Sequence, residues 1–189
     1  MRILLDHFGI DRAALVGMSQ GARIALRVSI AWPKRVAGLV LDGAPFHGFR
    51  PESRGEDAIP LDEYAALARR GRLDEMKKRW RQHALMQGIP DERQALFAMI
   101  LNDYAARDLI SESVQLLQPI ADRLVSIDVP ALVITGEHDT AWRRLVGDTL
   151  AQILPNSRRA VIPGGHHLCN ASHPENYNRL LTEFAASLP

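Results

Sequence analysis

The sequence has 189 residues, of which 47% are hydrophobic and 24% are charged. This length and composition are typical of a globular protein with a hydrophobic core, not of a disordered or fibrous chain. Its 23 Lys and Arg residues nearly balance 22 Asp and Glu residues, which leaves a net charge of +1. That balance gives no reason to expect a nucleic-acid partner or an anionic membrane surface.

The sequence has no recognisable targeting signal and a single cysteine, and these two features predict a cytoplasmic protein. No segment of the sequence approaches the roughly 18 consecutive apolar residues of a membrane span. The first residues, MRILLDHFGIDR, lack the long apolar region and the cleavage site of a secretory signal. The single cysteine, Cys169, cannot form an internal disulfide, which is consistent with a reducing compartment.

The predicted elements begin with a helical pattern over Arg2–Phe8 and continue as alternating strands and helices. Four runs are apolar nearly throughout, which is typical of strands covered on both faces. These predicted strands are Ala13–Val16, Val36–Leu41, Ala131–Thr135 and Arg159–Ile162. The helices predicted after the first, third and fourth strands are Gly21–Ala31, Trp142–Leu154 and Pro174–Leu188. This order predicts an α/β fold, a parallel sheet with flanking helices.

The segment between the second and third strands has helical patterns without a strand signal. It opens with a polar, turn-rich stretch, Pro51–Pro60. The helices predicted after it are Asp62–Arg70, Leu73–Gln87, Asp91–Asp108 and Ser113–Val125. The chain is therefore predicted to have core segments at residues 1–44 and 129–189 and an all-helical insertion at residues 45–128. Five large side chains of the insertion would line a site or form its own core, and their helical spacing favours core. They are Trp80, Met86, Phe97, Met99 and Tyr104.

A Gly-x-Ser-x-Gly motif, Gly17 to Gly21, follows the first predicted strand and precedes a predicted helix. In this context the motif is typical of a nucleophile elbow, a sharp turn that exposes the serine hydroxyl and requires small neighbours. The helix dipole favours negative charge at this turn. Ser19 is therefore the predicted nucleophile, and the backbone N–H of Gln20 is the predicted oxyanion donor. A chance occurrence of the motif is the weaker alternative.

A serine nucleophile needs a base that an acid holds in place. Asp139 follows the third predicted strand in GEHDT, and His166 and His167 follow the fourth in PGGHHL. Catalytic groups of open parallel sheets gather at the carboxyl ends of the strands. The spacing therefore predicts that these side chains meet near Ser19.

Three blocks of the sequence, in this order, resemble the C-terminal part of the α/β-hydrolase fold family, serine hydrolases with a helical cap domain. They are DHFGIDRAALVGMSQG, VPALVITGEHDT and PGGHHLCNASHPENYNRLLTEF. The resemblance covers nearly the whole chain and implies a Ser-Asp-His catalytic triad beneath a cap formed by the insertion. It also implies that the family's N-terminal strands, and the loop that gives the second oxyanion donor, are missing. A truncated sequence is our hypothesis for this departure; an inactive relative and a second covering chain are the alternatives.

Two positions of the implied triad have rivals. In the resembling family a Pro-Glu pair follows the catalytic histidine at a set interval, and the position of Pro174-Glu175 favours His167 over His166. Asp42, at the end of the second strand, is the alternative to Asp139 as the acid. Its other interpretation is a turn or cap residue beside Gly43.

The leading functional hypothesis is a serine hydrolase that cleaves a small carboxylic ester or lactone through an acyl-enzyme on Ser19. A C–C bond hydrolase or acyltransferase with the same triad, and an inactive chain that only binds a ligand or partner, are the alternatives. No cofactor and no metal are predicted, because the sequence has no phosphate loop, dinucleotide fingerprint or convincing set of metal ligands. The predicted partner is a small-molecule carbonyl substrate. A homo-oligomer or a missing N-terminal segment would cover the open edge of the sheet.

Overall fold

The computed structural model describes residues 1–49, 53–111 and 118–189. Within them, four parallel strands form one sheet in the order β1-β2-β3-β4. The strands are β1 (Ala13–Met18), β2 (Val36–Asp42), β3 (Ala131–Gly136) and β4 (Ser157–Ile162). The predicted α/β fold, a parallel sheet with flanking helices, is confirmed. Each predicted strand is present and longer than its apolar core by one or two residues.

Helices connect and flank these strands. The α-helices are α1 (Arg2–His7), α2 (Gln20–Ala31), α3 (Leu61–Arg69), α4 (Leu73–Gln82), α5 (Asp91–Asp103), α6 (Arg107–Ile110), α7 (Ala141–Ile153), α8 (Cys169–Ser172) and α9 (Pro174–Ala186). Short 3₁₀ turns lie at Pro33–Arg35, Gly55–Asp57, Ala84–Met86 and Ala121–Ser126.

The helices cover the two faces of the sheet in separate layers. On one face, α2 and α7 pack against inward side chains of β1, β2 and β3, with Leu26 and Leu150 fully buried. On the other face, α9 packs Phe184 and Tyr177 against β2, β3 and β4. Each such large apolar side chain contributes about 1.5–3 kcal/mol on burial. The central strands β2 and β3 are therefore the rigid part of the frame.

The expectation that all four strands are covered on both faces is wrong for β1 and β4. These are the edge strands, so each has a strand neighbour on one side only. Val16 of β1 is 57% exposed and Val161 of β4 is 49% exposed. Val16 lies beside Val40 of β2, whose side chain belongs to the layer of α9, and that layer does not extend over β1.

The insertion has its own small core, in which α3, α4 and α6 surround Tyr64, Leu67, Met76 and Ala106. Two predicted helices are too long. The helix predicted over Leu73–Gln87 ends at Gln82, since His83 leaves the helical conformation and its ring accepts a hydrogen bond from the Leu85 N–H. The helix predicted over Asp91–Asp108 is interrupted after Asp103, because Ala106 is buried in the left-handed conformation with φ +52°.

The last helix predicted in the insertion, Ser113–Val125, lies partly outside the described residues. Residues 113–117 lie outside the described part of the chain, as do residues 51 and 52 of the predicted polar stretch. The remainder is a 3₁₀ turn over Ala121–Ser126 rather than an α-helix. The division into segments 1–44, 45–128 and 129–189 stays a prediction.

Candidate active site

Ser19 occupies a sharp turn between β1 and α2. Its backbone has φ +49° and ψ −108°, a combination that a non-glycine residue adopts only under strain. The Ser19 N–H donates to the carbonyl of Asp42 at 2.7 Å, which holds the turn against the end of β2. The side chain is half-buried and makes no capping hydrogen bond to α2. The turn thus places Ser19 at the carboxyl edge of the sheet.

The two glycines of the motif differ in their surroundings. A Cβ at Gly17 would lie 2.4 Å from the backbone nitrogen of Ala22, so no side chain fits there. A Cβ at Gly21 would meet nothing within 4 Å in the described part of the chain. The expectation that both flanking positions must be small therefore holds at Gly17 and is wrong at Gly21. Gln20 begins α2, where the first N–H groups have no intrahelical acceptor, and it stays the predicted oxyanion donor.

The structure joins Asp139 to His167. The Asp139 Oδ2 atom lies 3.0 Å from His167 Nδ1, and both residues are buried, with 4% and 3% exposure. The other carboxylate oxygen, Oδ1, accepts the Thr140 N–H at 2.8 Å. With an ionised Asp139, this geometry assigns the proton to Nδ1 and leaves Nε2 of His167 as an acceptor. The arrangement can orient an imidazole and stabilise its protonated form.

Two hydrogen bonds hold together the loop that contains Asp139 (residues 137–140, the acid loop) and the loop that contains His167 (residues 163–168, the histidine loop). The Gly164 N–H donates to the Glu137 carboxylate at 2.8 Å, and the His138 N–H donates to the carbonyl of Gly165 at 2.7 Å. Glu137 and His138 thereby fix the relative position of the two loops.

The neighbouring histidine, His166, points elsewhere. Its ring lies 5.5 Å from that of His138, and its Cδ2 would be 2.1 Å from a Cβ at Gly88 in the insertion. The structure therefore brings His167, and not His166, to Asp139.

Ser19 and His167 both lie against the segment that ends β2. Gly43 follows Asp42, the residue that accepts the Ser19 N–H, and a Cβ at Gly43 would lie 2.6 Å from His167 Cε1. Among the described contacts, no hydrogen bond joins the Ser19 hydroxyl to His167. Catalytic hydrogen bonds are often long before substrate binds, so this geometry is compatible with a serine and its base.

Asp42, the rival acid, has a different environment. It is fully buried, and its Oδ1 accepts the weak thiol donor of Cys169 at 3.5 Å. The Tyr177 hydroxyl also interacts with this carboxyl group, although Oδ2 has no partner within hydrogen-bond distance among the described residues. Burial, with a smaller effect from the nearby Asp139, raises the pKa of Asp42 to about 7. Burial and the Asp42 carboxyl likewise raise the pKa of the Cys169 thiol, which fits its interpretation as a packing residue.

A buried ion pair beside the acid loop is the feature that the sequence analysis missed. Arg143 Nε donates to Asp57 Oδ1 at 2.6 Å, and the two side chains are 2% and 0% exposed. Eighty-six residues separate the partners, so no local pattern connects them.

Several cations lie near Arg23, which is close to the elbow. Arg23 is one turn along α2 from Ser19, and its backbone N–H donates to the Ser19 carbonyl at 3.2 Å. Burial, and then the neighbouring cations Arg27, Arg54 and Arg143, lower the pKa of Arg23. Burial and three of these cations also lower the pKa of His47. Arg54 stacks 4.9 Å from the ring centroid of Trp142. Since Arg143 is paired with Asp57, the cations suited to an anionic part of a ligand are Arg23, Arg27 and Arg54.

The large side chains of the insertion divide between two roles. Trp80 and Tyr104 pack against its core, and Met99 is 57% exposed. Met86 and Phe97 line a cavity of about 320 Å³ within the insertion, beside Gly88. The prediction of core packing thus describes only Trp80 and Tyr104.

The described residues contain no group of three or more potential metal ligands. None of the helices described here is long and apolar enough to cross a membrane.

Comparison with known sequences places the chain among hydrolases. A sequence model described as the alpha/beta hydrolase family matches residues 2–180. A 2-hydroxy-6-oxononadienedioate/2-hydroxy-6-oxononatrienedioate hydrolase from Burkholderia vietnamiensis is 31% identical over 191 residues, which are 96% of this chain and 65% of the relative. A hydrolase of the same name from Pseudomonas putida is 27% identical over 190 residues, with the same two coverages. The chain therefore spans slightly less than two thirds of the length of these relatives.

Solved structures show the same fold. MenH from S. aureus superposes with a TM-score of 0.83 at 21% identity, covering 96% of this chain and 71% of that one. The enol-lactonase from Burkholderia xenovorans superposes with a TM-score of 0.75 at 20% identity, covering 97% and 69%. Since the family match extends over nearly the entire chain, the chain belongs to the alpha/beta hydrolase family.

Proposed function

We propose that this chain carries the catalytic centre of a serine hydrolase for a small carboxylic ester or lactone. Ser19 is the nucleophile, His167 the base, Asp139 the acid that orients it, and the Gln20 N–H an oxyanion donor. The observation that carries the proposal is the buried hydrogen bond between His167 and Asp139, at the same sheet edge as the strained turn of Ser19.

The geometry supports acyl transfer in two steps. His167 Nε2 accepts the proton of Ser19 Oγ while that oxygen attacks the substrate carbonyl carbon. Asp139 stabilises the imidazolium, and the Gln20 N–H stabilises the negative oxygen of the tetrahedral intermediate. The C–O bond to the leaving alcohol then breaks, and His167 returns the proton to that alcohol. Water, deprotonated by His167, attacks the acyl-enzyme and releases the carboxylic acid and free Ser19.

The cations beside the elbow favour a substrate that also carries a carboxylate. Arg23 lies one turn from the nucleophile, and its guanidinium has cationic neighbours but no hydrogen-bonded or ionic partner among the described residues. A half-buried guanidinium without a counter-ion is costly unless an anion pairs with it. The named substrates of two relatives are dioates, which are compounds with two carboxylates.

The dioate substrates in the names of these relatives make hydrolysis of a C–C bond the second candidate function. A 2-hydroxy-6-oxo dioate contains a ketone and no ester, so its hydrolysis breaks a carbon–carbon bond next to the ketone. The family resemblance to hydrolases of such compounds favours this reaction. The triad would serve it without an added cofactor.

A matched set of variants tests the proposal. Hydrolysis of p-nitrophenyl esters, lactones and a 2-hydroxy-6-oxo dioate would be followed by product analysis, with an added alcohol to reveal acyl transfer. Ser19→Ala and His167→Ala should each lower kcat by about 10³-fold or more. His166→Ala should retain activity, since its ring does not contact Asp139. Ester or dioate hydrolysis that persists in Ser19→Ala would overturn the proposal.

A further inference from the structure

The ion pair of Asp57 and Arg143 links two parts of the chain that are distant in sequence. Asp57 ends the 3₁₀ turn Gly55–Asp57, just before the first helix of the insertion. Arg143 lies in the first turn of α7, directly after the acid loop. Both side chains are buried, and Arg143 is the only cation that pairs with Asp57 among the described residues.

The ion pair is hydrogen-bonded to Thr140, which is itself hydrogen-bonded to Asp139. The Thr140 hydroxyl donates to Asp57 Oδ1 at 3.0 Å, and the backbone N–H of the same threonine donates to Asp139 Oδ1. Thr140 Oγ1 also accepts the Arg143 N–H at 3.3 Å, as the cap of α7. The acid loop is therefore held to the insertion by one continuous set of hydrogen bonds.

Arg143 also reaches the residue on which His167 rests. Its Nη1 donates to the carbonyl of Gly43 at 2.7 Å. Gly43 packs so closely against His167 that a Cβ there would lie 2.6 Å from the ring. One guanidinium thus donates through Nε to Asp57 in the insertion and through Nη1 to Gly43, which packs against His167. The planar fork of arginine allows both bonds at once, and a lysine ammonium cannot reproduce that geometry.

We propose that Asp57 and Arg143 are positioning residues that couple the docking of the insertion to the geometry of the Asp139–His167 pair. The inference rests on the proposed function, because positioning matters for catalysis only if His167 serves Ser19. Neither residue touches the reacting atoms. Their effect passes through Thr140 to the acid and through Gly43 to the base.

The test combines a spectroscopic readout with a chemical one. NMR of the His167 ring would follow the Nδ1–H proton and its exchange with water, which reports the hydrogen bond to Asp139 without any reaction at Ser19. The rate of Ser19 modification by a fluorophosphonate would report the reactive geometry. The variants are Asp57→Asn, Arg143→Lys and Arg143→Gln, with Asp148→Asn as the control. Asp148 lies on the same helix as Arg143 and forms an exposed pair with Arg159.

In the folded variants, we expect the Nδ1–H of His167 to exchange faster than in the parent chain. Fluorophosphonate modification should fall by up to about 10²-fold, since small displacements of catalytic groups have effects of this size. Arg143→Lys should lie between the parent chain and Arg143→Gln, because it keeps the charge and loses the fork. Asp148→Asn should match the parent chain in both readouts.

A double variant, Asp57→Asn with Arg143→Gln, removes both buried charges and is the substitute if Arg143→Gln alone does not fold. Folded variants with unchanged Nδ1–H exchange would overturn the inference, whatever the reactivity of Ser19. A second outcome separates the two proposals. If Nδ1–H exchange is faster in the variants as expected, but Ser19 of the parent chain is not modified, the proposed function is overturned and the positioning role is supported.

Discussion

The two carboxyl groups at the edge of the sheet, Asp42 and Asp139, have different partners and therefore different properties. Asp139 accepts hydrogen bonds from the Thr140 N–H and from His167. Asp42 is fully buried beside the Cys169 thiol and the Tyr177 hydroxyl, and its burial outweighs these donors and raises its pKa to about 7. Asp139 is thus suited to orient an imidazole, whereas Asp42 is neutral below pH 7 and is suited to packing.

Asp42→Asn should increase the free energy of unfolding, relative to the parent chain, more at pH 8 than at pH 5. The folded pKa of Asp42 is raised above its unfolded value, so its ionisation lowers the free energy of unfolding as the pH rises from about 4 to 7. One pKa unit corresponds to about 1.4 kcal/mol, so the gain of the variant should grow by up to about 3 kcal/mol between these pH values.

Urea unfolding of both proteins at pH 5 and pH 8 measures this difference. Asp62→Asn, an exposed carboxylate at the start of α3, is the control. An equal effect of Asp42→Asn at the two pH values would refute the assignment of a raised pKa to Asp42.

Arg23→Gln should weaken binding of carboxylate-bearing substrates more than binding of neutral ones. Hydrogen bonds to charged groups contribute about 1.5–3 kcal/mol, so KM for an anionic substrate should rise by about tenfold or more. The control is Lys34→Gln, an exposed cation at the opposite end of β2. Steady-state kinetics on paired substrates, with and without a carboxylate, measure the effect, and an equal change for both would contradict the role of Arg23.

At the scale of elements, local pattern was sufficient for the sheet and insufficient for the insertion. The four apolar runs predicted the strands because burial in a parallel sheet depends on hydrophobicity along a few consecutive residues. The break between α5 and α6 had no such signal, since Ala106 has high helix propensity and takes a left-handed conformation only because it is buried against α3 and α4.

The candidate site follows the same division. The contact of Asp139 with His167 was predictable, because both residues follow parallel strands whose carboxyl ends share an edge. The pair of Asp57 and Arg143 was not, because it depends on how the insertion docks on the core. The role of Gly43 was also missed, since its close contact with His167 is set by tertiary packing and not by its turn sequence.

Gly43→Ala tests the strand end that supports His167. Gly43 has φ +53°, and its added methyl group would collide with the imidazole. Gly71→Ala is a matched control, because Gly71 has φ +71° and open space around it. Both variants should lose about 1–2 kcal/mol of stability from the left-handed backbone.

Only Gly43→Ala should also lose activity, by about 10²-fold in kcat, since His167, the proposed catalytic base, is displaced. Thermal unfolding and steady-state kinetics separate the two effects. Equal activity of the two variants, both folded, would show that His167 does not depend on this contact.

At the scale of the whole molecule, the frame of the site is a four-stranded sheet with an open edge. Val16 of β1 is 57% exposed, and β2 is the one strand partner of β1 among the described residues. Exposed apolar edges of this kind favour association with another segment or chain. The chain spans 65% of the length of the two hydrolases compared above. Coverage of the edge by a second copy or by a further segment stays a prediction.

The proposed function requires this chain to assemble Ser19, Asp139 and His167 into a working triad. The most direct measurement is the intact mass of the purified 189-residue chain after treatment with a fluorophosphonate, with Ser19→Ala as the control. We expect one adduct on the parent chain and none on Ser19→Ala. A folded parent chain without an adduct, or an adduct that Ser19→Ala retains, would contradict the account.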